Sequence, residues 1–303
     1  MAKEDSKPYV ISADLHGLMK KWSISSGYSL PNESFFEGIG RDLEGILRSY
    51  YEGNVEVVSE FELRAGLEKL AEKSQYPIVS LDRAYVDQNT PKIMYFLDLT
   101  RAVNENMEDI GLYPRPGFPS KDEQMRHVCY GQGPITLLDD VVFSGKGIVD
   151  LAKEFEEKGR PVKQVIVGVG ISEGVKKLRD MGIQVECVRE YDDVIDEVCE
   201  RDYYAGVPMS GRTVMGSNGL VGSAPYFRPF GKPEKWATIP AERVPEFSRF
   251  CLTQSLVLWA AVSKHSKADI HVGSLPRKIF GVSEDVSIIT LLKEHVDNNR
   301  HLS

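Results

Sequence analysis

The stretch from Pro134 to Val188 alternates short apolar runs with amphipathic ones, and this order leaves few folds open. Pro134-Ile135-Thr136-Leu137-Leu138 reads as an apolar strand. Gly147 to Lys158 reads as a helix with Ile148, Leu151 and Phe155 on one face. Gln164–Val169 is a second strand, Glu173–Met181 a second helix and Ile183–Val188 a third strand. Strand, helix, strand, helix, strand with short turns predicts a parallel α/β sheet flanked by helices.

The rest of the chain is arranged around that stretch. Asn32-Glu33-Ser34 supplies cap residues before Phe35, Phe36, Ile39, Leu43, Ile46 and Leu47, which recur at helical spacing. Phe61, Leu63, Leu67 and Leu70 predict a second helix, and two strands follow over Tyr76–Leu81 and Lys92–Leu99. Asn104 to Gly133 is polar and turn-rich, with Pro114, Pro116, Gly117 and Pro119 close together. Such a segment inside a compact domain serves either as a functional loop or as an exposed connector. Residues 200–240 read as loops, Glu246–Ser263 as a buried helix and Val286–Val296 as an amphipathic one. The expected organisation is an N-terminal helical segment over 1–75 packed on the core, an α/β core over 76–200, and a loop-rich helical segment over 201–303 as a candidate hood.

Composition narrows the function classes. With 303 residues, 42% hydrophobic and 27% charged, the chain has ordinary globular composition and enough apolar material for a sizeable core. No run approaches the roughly 18 apolar residues of a membrane span. Met1 to Pro8 is polar and charged, so no secretory signal is expected there. A net charge of −8 disfavours non-specific binding to nucleic acid or anionic membrane, while leaving room for a local basic pocket. Cys129, Cys187, Cys199 and Cys251 are scattered without a CxxC pair, which points to reduced thiols in a cytoplasmic protein and no zinc site. His16, His127 and His265 have no recognisable nucleophile or metal partner and read as structural or surface residues.

The chemistry concentrates at Leu138-Asp139-Asp140-Val141-Val142-Phe143-Ser144-Gly145-Lys146-Gly147. An apolar strand ends in two acids, a short loop follows, and a helix begins. Ligands of parallel sheets collect at the carboxyl ends of strands. Glycines let backbone N–H groups turn around a phosphate, and the helix N-terminus adds a favourable dipole. Ser144 can donate a hydroxyl. Two adjacent carboxylates are costly unless they meet hydroxyls, a metal or a cation. A sugar diol with a nearby magnesium ion satisfies all of these demands.

This stretch resembles the phosphoribosyl pyrophosphate motif of the type I phosphoribosyltransferases, in which four apolar residues and two acids lead into a Thr/Ser-Gly-x-Thr loop. The resemblance covers about 14 of the 303 residues. It implies that Asp139 and Asp140 hold the ribose hydroxyls and serve Mg2+, and that Val142, Phe143, Ser144, Gly145, Lys146 and Gly147 line the 5′-phosphate site. The family ends this loop with Thr, where this chain has Gly147. The implied activity is transfer of a 5-phosphoribosyl group to or from a nitrogenous base, with phosphoribosyl pyrophosphate or a nucleotide as the small-molecule partner. Dimers are common for this fold, so a homodimer is the implied assembly. A protein of this fold that binds such a ligand without turnover, as a nucleotide sensor, is the alternative.

The resemblance also implies a pyrophosphate-holding loop after an earlier strand. Ser80-Leu81-Asp82-Arg83-Ala84 and Asp98-Leu99-Thr100-Arg101 are its two candidates, with Arg83 and Arg101 as cations, and each reads equally well as a salt-bridged strand end. A lid from Tyr113–Pro119, with Arg115, Lys121 or Arg126 reaching phosphates, competes with a plain connector there. Asp202, Tyr203 and Tyr204 are candidates to hold a base, the tyrosines by stacking, or else a tyrosine pair packed at a domain edge. Gly168-x-Gly170-x-x-x-Gly174 hints weakly at a dinucleotide site. Val188-Arg189 stands where an acid would close the next strand, so tight strand-to-helix packing is the expected role of these glycines.

Overall fold

The computed structural model describes residues 7–298. Most of the Met1–Pro8 stretch read above therefore lies outside the described residues. The first half of the chain forms β1 (Tyr9–Ser12), α1 (Leu15–Ser26), α2 (Glu33–Tyr50), β2 (Val55–Val58), α3 (Glu60–Lys73), β3 (Ile78–Ser80), β4 (Ile93–Phe96), β5 (Leu99–Asn104), β6 (Asp109–Pro114) and α4 (Lys121–Cys129). The second half forms β7 (Ile135–Val142), α5 (Lys146–Glu157), β8 (Val162–Ile171), α6 (Ser172–Asp180), β9 (Gln184–Tyr191), β10 (Asp196–Cys199), β11 (Arg212–Met215), β12 (Val221–Ala224), α7 (Pro233–Trp236), α8 (Val244–Ser266) and α9 (Ile288–Asn298). No helix among the described residues is long and apolar enough to cross a membrane.

The chain forms two compact units, with bounds that differ from the three consecutive segments expected. One, the sheet unit, comprises Val58–Arg101 and Gly111–Val194. The other, the flanking unit, draws on 7–57, Ala102–Ile110 and 195–298. Helix α3 thus belongs with the sheet rather than with the N-terminal segment.

The sheet unit is the parallel α/β structure flanked by helices that the strand–helix alternation predicts. Its strands run in the order β4-β3-β7-β8-β9, and every pairing is parallel. Strand β7 is central, with Leu138 facing Ser80 of β3 and Ile166 of β8 in register. Ile148, Leu151 and Phe155 of α5 are buried with Leu137, Val165 and Val167, joined by Met125 and Val128 of α4. Each such side chain stabilises the fold by roughly 1.5–3 kcal/mol relative to exposure. Helix α3 buries Leu63, Leu67 and Ala71. Phe61, placed by periodicity on that face, is instead 81% exposed, because it falls in the first turn beside the buried stripe.

The polar stretch after Asn104 holds more structure than its composition predicts. It contains β6 and α4, and α4 opens with a capping box in which Ser120 Oγ accepts from Glu123 N–H and the Glu123 carboxylate accepts from Ser120 N–H. The strand expected over Lys92–Leu99 breaks into β4 and the start of β5 around Asp98.

The flanking unit contains a sheet of order β10-β1-β2, with β1 and β10 parallel. A second sheet has the order β12-β11-β5-β6, and the bounds of the two units fall within β5 and β6. Its core gathers Trp259, Phe247, Tyr9, Tyr203 and Phe227, all fully buried. Trp259 Nε1 donates to Ala205 O at 2.7 Å, which satisfies its one polar atom inside that core.

Candidate functional site

The site is built at the carboxyl end of β7. Leu138 is buried, and Asp139, Asp140 and Val141 emerge half-buried before Val142 turns in again. Asp140 N–H donates to Asp139 Oδ1 at 3.0 Å, which fixes the Asp139 carboxylate against the backbone of the next residue. Burial pushes the Asp139 carboxyl well above its usual range, and the neighbouring Asp140 and then Asp82 carboxylates act in the same direction. The acid pair lies in β7 just past the level at which β3 ends, with Ser80 beside Leu138. Such a concentration of negative charge is suited to hydroxyl donors or to a cation.

The loop that follows is shaped by glycine. Gly145 adopts φ +73° and caps α5 without a side-chain hydrogen bond. The first intrahelical bond runs from Val149 N–H to Gly145 O at 2.9 Å, so the N–H groups of Gly147 and Ile148 have no acceptor within the helix. They are the donors an anion would meet, aided by the helix dipole. Ser144 is exposed at the tip, with its Oγ 3.5 Å from Lys146 N. Lys146 Nζ extends along the helix to Asp150 Oδ2 at 2.8 Å, a surface pair one turn on. Lys177 of α6 donates from Nζ to Ser144 O at 3.2 Å while paired with Glu173 Oε1 at 2.6 Å.

The glycine string of β8 and α6 has the packing role expected of it. A Cβ on Gly168 would lie 2.8 Å from Asp140 O, and one on Gly170 would lie 2.9 Å from Val175 Cγ2. A Cβ on Gly174 would collide with Phe143 O and lie 2.7 Å from Gly145 N. The first turn of α6 therefore buttresses the β7–α5 loop, which is a positioning role for Gly174.

Gly147 is different, because its φ is not in the left-handed region and a Cβ there would touch only Leu112 Cδ1, at an ordinary 3.5 Å. Nothing steric requires glycine. Gly147→Thr is therefore expected to fold, and it returns a hydroxyl donor to the loop. One added hydrogen bond of about 1–1.5 kcal/mol would tighten phosphate-ligand binding roughly tenfold, measured by calorimetry with phosphoribosyl pyrophosphate.

The other sequence candidates divide. Asp82 and Arg83 follow β3, the strand beside β7. The Asp82 carboxylate accepts from the N–H groups of Ala84, Tyr85 and Val86 at 2.8, 2.8 and 3.1 Å, so this turn is closed on itself. Arg83 grips the buried Asp98 with both Nε and Nη2, the latter at 2.8 Å from Oδ2. Arg101 is exposed on β5, in a different sheet from β7. Lys121 pairs with Glu154 at 2.5 Å, and Arg115 N–H donates to Asp98 O at 2.7 Å.

Asp202, Tyr203 and Tyr204 lie in the flanking unit, and the base-holding role expected of them needs correction. Tyr203 and Tyr204 are each 1% exposed, so neither offers a ring face to a ligand. Tyr203 Oη shares a hydrogen bond with Tyr9 Oη at 2.5 Å, and Tyr204 Oη donates to Ile39 O at 3.3 Å. The buried Asp202 accepts from Gly211 N–H at 2.7 Å. Their aromatic area serves the core, where each hydroxyl finds a partner.

No protein-family model matches the chain, and no curated protein sequence matches it. Solved structures do show likeness. Orotate phosphoribosyltransferase from Aeropyrum pernix is 15% identical over 42% of this chain and 68% of its own, with a TM-score of 0.28. Adenine phosphoribosyltransferase from Thermoanaerobacter pseudethanolicus is 15% identical over 43% of this chain and 79% of its own, with a TM-score of 0.29. UMP synthase from Leishmania donovani is 14% identical over 45% of this chain, with a TM-score of 0.30, and the match spans only 28% of that enzyme. With TM-scores this low, the likenesses carry no functional weight.

Proposed function

We propose that the Asp139–Asp140 pair and the β7–α5 loop bind the 5-phosphoribosyl group of phosphoribosyl pyrophosphate or of a nucleoside monophosphate, and that the protein transfers this group to or from a nitrogenous base. The observation that carries the reading is the pair of half-buried carboxylates in the C-terminal half of the central strand, which leads into a glycine-turned, side-chain-uncapped helix N-terminus. The carboxylates would accept hydrogen bonds from the ribose hydroxyls. Ser144 Oγ and the N–H groups of Gly147 and Ile148 would hold the 5′-phosphate. In the forward direction a ring nitrogen of the base bonds to ribose C1 while the C1–oxygen bond to pyrophosphate breaks and its electron pair leaves with pyrophosphate. Catalysis by these residues is positioning together with electrostatic stabilisation of a cation-like ribose.

Mg2+ is the cation this oxygen-donor set suits, since it is bound through one or two carboxylates plus ligand phosphates rather than by an all-protein cage. Among the described residues no group of three or more His, Cys, Asp or Glu side chains is arranged to hold a metal alone. Asp139 and Asp140 would hold Mg2+ together with the ligand, where it would neutralise charge on the pyrophosphate. Free thiols at all four cysteines accord with a reducing, cytoplasmic setting.

One observation favours the second reading, a ligand sensor without turnover. The N–H groups of residues 84–86 are already bound by Asp82, and Arg83 by Asp98, so the turn beside the site holds its donors internally. Calorimetry with phosphoribosyl pyrophosphate and with AMP, each with and without Mg2+, tests binding. A pyrophosphate-release assay over a panel of bases tests transfer. Mg2+-dependent binding with release is the result expected of a transferase, and binding without release supports the sensor. If neither ligand binds, the site assignment fails.

A further inference from the structure

A concave feature of the sheet unit lies beside β4. It is a cleft of about 370 Å³ lined by Phe96, Asp98, Phe118, Glu123 and His127, among others. Its size falls within the range of small-molecule sites. The Asp98 carboxylate is rigidly held and only 6% exposed, whereas its partner Arg83 is 40% exposed. Asp98 N–H donates to Gln124 Oε1 at 2.7 Å, which fixes the strand end. The Arg83 guanidinium lies 4.1 Å from the Phe96 ring centre and 5.7 Å from that of Phe118. A flat, nitrogen-rich cation thus already stacks on the aromatic lining while its fork meets the carboxylate.

We propose that Arg83 is the resident stand-in for a ligand: a flat nitrogen heterocycle or amidine with two adjacent N–H donors, which takes the place of the guanidinium on Phe96 and Asp98. The identification of this ligand as the acceptor base rests on the phosphoribosyl reading of the neighbouring strand end; the exchange itself does not. Asp98 is too buried to be left without a cation or donor pair, so Arg83 departs only as the ring arrives. Glu123, its carboxylate engaged by Ser120, adds negative charge to the cleft wall and favours a cationic or donor-rich ring over an anionic one. Arg83 follows β3, the strand paired with β7, and its partner Asp98 lines the cleft.

Benzamidine, a planar amidinium, is a suitable probe for calorimetry or NMR titration with the full chain. Arg83→Ala is expected to bind it at least tenfold tighter than the wild type, and Arg83→Ala with Asp98→Asn is expected to lose that gain. Equal affinity in wild type and Arg83→Ala would overturn the proposal, as would a gain that survives Asp98→Asn. Should Arg83→Ala not fold, Arg83→Gln permits the same comparison. Phosphoribosyl pyrophosphate titrated into the same proteins separates the two readings. A benzamidine gain without any phosphoribosyl pyrophosphate binding sustains the cleft and removes the phosphoribosyl site; the reverse pattern removes only the cleft.

Discussion

Asp139→Asn combined with Asp140→Asn is expected to weaken phosphoribosyl pyrophosphate binding at least ~100-fold while leaving the protein folded. A hydrogen bond to a charged group contributes about 1.5–3 kcal/mol, and two such bonds to ribose hydroxyls exceed the ~2.7 kcal/mol that corresponds to 100-fold. Loss of the carboxylates also removes the two side chains proposed to hold Mg2+. Stability should move little or rise, because burial and two neighbouring carboxylates oppose ionisation of Asp139, and asparagine relieves that repulsion in nearly the same volume. Calorimetric titration reads the first effect and thermal unfolding the second. A folded double variant that binds with wild-type affinity would place the ligand elsewhere.

The second large effect is expected at a residue that touches no ligand. Gly174→Ala puts a methyl group against Phe143 O and Gly145 N, which are backbone atoms of the β7–α5 loop and cannot rotate away. Either α6 or the loop must shift. Overpacking of this kind costs about 1–3 kcal/mol of stability, and a cradle displaced by a few tenths of an ångström loses aligned N–H donors. Binding of phosphoribosyl pyrophosphate is expected to fall more than tenfold, with a lowered unfolding temperature. Gly182→Ala is the contrasting variant: it strains a left-handed turn, at φ +76°, but meets no neighbour within 4 Å. It should reduce stability while sparing binding. If both variants bind equally well, the buttressing role of Gly174 is refuted.

Much of the sheet unit was legible because its signals are local. The run Pro134 to Val188 carries its period in its own residues, and each predicted strand and helix there recurs within a few positions of its predicted bounds. Helix α4 had a readable signal too, since Ser120-x-x-Glu123 is a capping-box pattern, but the prolines before it masked it. Strands β11 and β12 had none. They are short and glycine-flanked, and β11 exists through pairing with β5, Thr213 against Ala102, more than a hundred residues away in the chain. The Tyr203–Tyr204 pair shows the same limit. A tyrosine that stacks on a base and one that fills a core have the same composition, and only burial decides between them.

The sequence by itself determined that an apolar strand would lead into Asp139 and Asp140, though pairing with β8 carries that strand on to Val142, that glycines would turn the chain into a helix, and that the glycines of β8 and α6 would permit close packing. These features follow from steric and periodic properties of neighbouring residues. Tertiary structure alone decided that Arg83 would lie on Phe96 and Asp98, and that chain segments from both ends would share one core. Such outcomes depend on which distant surfaces bury one another, a choice made by the whole chain's exclusion of water rather than by any short stretch of it.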